Sequence, residues 1–98
     1  MIHLLVVDRE ERTLEAPSSF EVLRARSADE ALEKLARNRR IDAVLFTGDA
    51  VARETIERLS DEDASSPPLF STGCAAVEGA VALESTGLFD ELRRRLGE

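Results

Sequence analysis

Two short apolar runs flank one amphipathic segment, and that pattern leaves few folds open to the chain. Ile2 to Val7 is almost continuously apolar and of strand length, and Ile41 to Phe46 repeats the character. Runs of this kind fit strands buried on both faces of a parallel sheet. Between them, Ser27-Ala28-Asp29-Glu30 has the form of a capping box, in which the serine accepts from the amide three residues on and the glutamate reaches back. Ala28, Ala31, Leu32, Leu35 and Ala36 then recur at helical spacing. Strands alternating with helices predict an α/β layered fold with a mostly parallel sheet.

The rest of the chain fits the same alternation. Phe20 to Ala25 reads as a second strand, reached from the first by a stretch at the lower limit for a parallel crossover, so the first helix is a turn or two. Asp49 is the expected N-cap of a helix with Ala52, Thr55, Ile56 and Leu59 on one face. Ser60 to Pro68 is acidic, serine-rich and ends in two prolines, the signature of a loop. Short strands are predicted at Leu69 to Ser71 and Val81 to Glu84, with a short helix from Cys74 to Gly79 between them. Leu88, Phe89, Leu92 and Leu96 give a final helix its apolar face. All 98 residues fit one domain, 1–98, with no second core.

Composition narrows the function classes. No apolar run approaches the roughly 18 residues needed to span a bilayer, and Met1-Ile2 leads directly into a strand without the basic region of a signal peptide. Cys74 is the only cysteine, which excludes an internal disulfide and agrees with a cytoplasmic setting. A formal net charge of −7 argues against nucleic acid and anionic membranes as partners. The local basic clusters, Arg37, Arg39 and Arg40 and then Arg93, Arg94 and Arg95, fall in last helical turns, where cations meet the helix dipole favourably.

The first strand ends in Asp8-Arg9-Glu10 and the Ile41 run ends in Thr47-Gly48-Asp49. In open parallel sheets, ligands collect at the carboxyl ends of strands. With these ends, the chain resembles the receiver domain of two-component response regulators over nearly its whole length. The resemblance implies a three-layer sandwich around a five-stranded parallel sheet of order 2-1-3-4-5, the flavodoxin-like arrangement, here with the first helix shortened. It also implies a cleft where two acids hold a divalent cation, an aspartate takes a phosphoryl group, and a hydroxyl and a lysine hold its oxygens. Asp8 matches the first acid. Arg9 stands in place of the second, and a guanidinium offers only donors, so it ligates no metal. Thr47 stands in place of the nucleophile, and a hydroxyl forms no acyl phosphate. Thr72, or Ser71 in a shifted register, matches the hydroxyl. The lysine is missing, with Ser85 and Thr86 in its neighbourhood.

Several residues carry competing readings. Asp49 can act as a displaced phosphoacceptor, with Asp8 and Glu10 supplying metal oxygens, or simply cap its helix. Arg9 either replaces the missing cation beside Asp8 or points to solvent. His3, inside the first strand with no second histidine, reads as a half-buried, hydrogen-bonded side chain. Cys74 follows Ser71-Thr72-Gly73 at a strand end but has no base in reach to make a thiolate, so it reads as structural. No Walker loop or Gly-x-Gly-x-x-Gly occurs.

The expectation is a pseudo-receiver: a non-catalytic module for protein–protein interaction in a bacterial signalling assembly. No metal, cofactor or small-molecule substrate is expected. The alternatives are an atypical phosphoreceiver built on Asp49 and an unrelated small α/β enzyme or ligand-binding module. A shortened first helix would also leave part of one sheet face thinly covered. That makes a homodimer or a protein partner an expectation, with Leu88, Phe89 and Leu92 as candidate contacts.

Overall fold

Alternation along the first strand divides the interior of the protein in two. In a computed structural model, which describes residues 2–8, 17–37, 40–61, 67–72, 79–84 and 86–97, β1 (Ile2–Val7) lies in the middle of the sheet. Its side chains point alternately to opposite faces, as strand geometry requires. Ile2, Leu4 and Val6 join one buried cluster, Leu5 and Val7 the other.

The chain continues as β2 (Phe20–Ala25), α1 (Ala28–Arg37), β3 (Ala43–Phe46), α2 (Asp49–Asp61), β4 (Leu69–Thr72), β5 (Val81–Leu83) and α3 (Leu88–Arg95). The five strands are all parallel, in the order β2-β1-β3-β4-β5. This is the flavodoxin-like α/β sheet that the sequence predicts. Ala31 of α1 and Val51 and Ala52 of α2 pack on one face with Val44 and Phe46, while Leu88 and Leu92 of α3 pack on the other with Leu45 and Phe70. Among the described residues these three helices supply the outer layers. The shortened first helix of the expectation falls on residues outside those described, as does most of the short helix from Cys74 to Gly79.

Local chemistry fixes the element ends. Ser27 Oγ accepts the Glu30 amide at 3.2 Å, as a capping box should, and Glu30 Oε2 reaches back to the Arg26 N–H at 3.2 Å. At α2 the sequence expectation needs correction. The Gly48 carbonyl accepts the first helical bond, from the Ala52 amide at 3.2 Å, so Asp49 stands one position inside the helix and Gly48 takes the cap. Gly79, at φ 95°, lies against α2: a Cβ there would come within 3.0 Å of Ile56 Cγ2. The final strand ends at Leu83, one residue short of its expected end.

The candidate contact residues also need correction. Leu88 and Leu92 are buried within the chain itself, at 5% and 0% exposure. Phe89 is half-buried and meets Phe20 edge to face, ring centroids 5.1 Å apart at 64°. The apolar face of α3 is occupied by the protein's own sheet.

Candidate functional site

Strand register assembles the residues that the strand ends suggested. Val7 pairs with Ala25 on one side and Phe46 on the other, and Phe46 pairs with Ser71. The ladder runs one step further, because the Asp8 amide donates to the Ala25 carbonyl at 2.9 Å and the Thr47 amide to the Val7 carbonyl at 3.3 Å. Asp8, Thr47 and Thr72 therefore form the next row, on neighbouring strands about 4.8 Å apart. All three share the face that carries Val6, Leu45 and Phe70, the α3 side of the sheet.

Each member of the row is placed differently. Asp8 is 8% exposed, deep for a carboxylate. Thr47 is half-buried, and its hydroxyl lies 3.5 Å from the Val7 carbonyl, at the outer limit of a hydrogen bond. Thr72 is 7% exposed and its Oγ1 has no hydrogen-bond partner among the described residues, and the Ser71 hydroxyl on the opposite face is likewise buried and without a partner among them. Thr86 is exposed in the turn before α3. Arg9, Glu10, Cys74 and Ser85 lie outside the described residues. Asp49 is placed by its backbone alone, two residues beyond Thr47 at the start of α2.

Beside Asp8 the structure adds residues that the sequence reading did not assign to a site. A cleft of about 260 Å³ opens at the β2 edge of the row, with Val6 and Ala25 as its apolar lining. Arg24, Arg26, Glu30 and Lys34 surround it together with Asp8. Arg24 pairs in register with Val6, which puts both side chains on one face of the sheet. Glu30, held to the Arg26 amide, lies 3.8 Å from Lys34 Nζ. The sequence carries only part of this signal: Arg24 lies near the end of the second strand and Arg26 just beyond it. Their neighbour across the β1–β2 pairing was what the sequence left open.

His3 takes no part in this row. It sits at the opposite end of β1, where its amide donates to Asp42 Oδ2 at 2.8 Å, its Nε2 lies 3.0 Å from Glu21 Oε2 and its Nδ1 3.6 Å from Asp42 Oδ2. The half-buried, hydrogen-bonded histidine of the sequence reading is what the structure contains. Among the described residues no helix is long and apolar enough to cross a membrane.

Comparison with protein-family models, with curated proteins and with solved structures finds no match to this chain.

Proposed function

We propose that this chain is a receiver-like module without phosphotransfer chemistry, which acts by docking other proteins in a bacterial regulatory assembly. The observation that carries the reading is Thr47 at the carboxyl end of β3, flanked in the row by Asp8 and Thr72. In the receiver domains that the chain resembles, this is the position from which a carboxylate attacks a phosphodonor. A threonine there offers a hydroxyl already facing a backbone carbonyl, and among the described residues no second carboxylate in the row joins Asp8 to hold a divalent cation. The remaining assets of the domain are its surfaces: charged helix faces and two sheet edges. Val81 is the one large apolar side chain exposed among the described residues, so a partner would meet a mainly polar surface. Such contacts weaken as salt rises.

Intact-mass spectrometry after incubation with acetyl phosphate and magnesium tests the chemistry. The unmodified mass is the expected outcome. A stoichiometric phosphoryl adduct, on Asp49 or elsewhere, overturns the reading and favours an atypical phosphoreceiver.

A further inference from the structure

We infer that the cleft at the carboxyl end of the β2 edge, lined from β1, β2 and α1, binds a small oxyanion, the phosphate or carboxylate group of a soluble ligand, through Arg24, Arg26 and Lys34. This does not rest on the docking function proposed above, since binding here is non-covalent and uses neither Thr47 nor Thr72.

Three cationic residues line one cleft in a chain whose net charge is −7. Among the described residues two carboxylates, Asp8 and Glu30, line the cleft with them, so its described lining carries three cations to two anions. Glu30 is already engaged: it accepts the Arg26 amide and lies 3.8 Å from Lys34 Nζ. Arg24, Arg26 and Lys34 hold contacts within the chain. A guanidinium nevertheless carries five N–H donors in a planar fork that matches an oxyanion, so each arginine can keep an internal contact and still bind a ligand. The location agrees with the charge. The cleft lies at the carboxyl ends of β1 and β2 and at the first turn of the ten-residue α1, where ligands of open α/β sheets collect and the helix dipole favours negative charge.

Size and lining narrow the ligand. A volume of about 260 Å³ lies below the ~300–1,000 Å³ of pockets for drug-sized molecules, so the occupant is small. Val6 and Ala25 suit a short carbon skeleton, and Asp8 suits a hydroxyl or ammonium donor on the same molecule. The anionic end must lie toward the arginines, away from the Asp8 carboxylate.

Amide chemical shifts of the ¹⁵N-labelled full chain, titrated with inorganic phosphate and separately with succinate at constant ionic strength, test the proposal. Saturable shifts confined to Arg24–Glu30 and Lys34 are expected. Arg93, Arg94 and Arg95, exposed at the end of α3, serve as an internal control for charge alone. Arg24→Gln and Lys34→Gln should each weaken the binding by at least about tenfold, the equivalent of one charge-assisted hydrogen bond. Lys34 lies on a helix surface, so its variant keeps the fold even if the strand variant does not. A response to both anions, or to one of them, supports the site and assigns the group it takes. Absence of saturation with either anion, equal shifts at Arg93–Arg95, or unchanged affinity in folded variants overturns it.

Discussion

Asp42 shows how much a single exposed carboxylate can organise. Its Oδ2 accepts the His3 amide, while its own amide donates to the His3 carbonyl at 2.8 Å, so one residue ties the start of β1 to the approach to β3. Asp42→Ala should cost about 0.5–1.5 kcal/mol, the net worth of such a bond, measured by urea denaturation. Asp42→Asn keeps an acceptor and should lose less; equal losses would assign the effect to the charge facing His3. At the other end of the sheet, Thr47→Asp would put a second carboxylate beside the buried Asp8. Like charges on adjacent strands destabilise, so the variant should unfold at lower urea than the parent at neutral pH. Unchanged stability would mean that Asp8 is shielded from position 47. Asp8, Thr47 and Thr72 were legible in the sequence because each follows an apolar run, and strand ends are readable. Arg24 and Arg26 were not, because their importance depends on which strand β2 pairs with and in what register.

Among the elements, α1 shows the closest agreement between local code and structure. Ser27 and Glu30 both act at its first turn, although Glu30 serves the Arg26 amide, one residue before the cap. Ser27→Ala should cost about 1 kcal/mol, within the ~0.5–2 kcal/mol range for such caps, by thermal or chemical denaturation. A loss below about 0.3 kcal/mol would indicate that the Glu30 contact alone holds the turn. Ala28 and Ala31 are buried as the periodicity predicts, while Ala36 is exposed, because the buried stripe of this helix is narrower than its apolar arc. The start of α2 misled the sequence reading for a physical reason. Aspartate is a common cap, and nothing local says that Gly48 takes the role one residue earlier. Gly79 is legible only in the fold, where its positive φ and the nearness of Ile56 both oppose a side chain. Gly79→Ala should therefore destabilise by more than about 1 kcal/mol.

At the scale of the whole molecule, one question links fold to function: does α3 hold the domain together or present it to another protein? A sheet buried on both faces needs cover on each, and α3 is the described helix on the side of Ile2, Leu4 and Val6. Sequence periodicity marked Leu88, Phe89 and Leu92 as the apolar stripe but could not say whether it turned inward or outward. Burial of Leu92 at 0% exposure and the Phe20–Phe89 ring contact answer for these side chains. The two uses of the helix predict different responses to one substitution. A core Leu92→Ala leaves a cavity and should cost about 2–5 kcal/mol, a large share of the roughly 5–15 kcal/mol that stabilises a typical domain. Sedimentation of the folded fraction should be unchanged. An interface leucine would give the reverse, with a small loss of stability and a large loss of association. Urea denaturation and sedimentation on the same variant separate the two, and a stability loss under about 1 kcal/mol would return α3 to the list of docking surfaces.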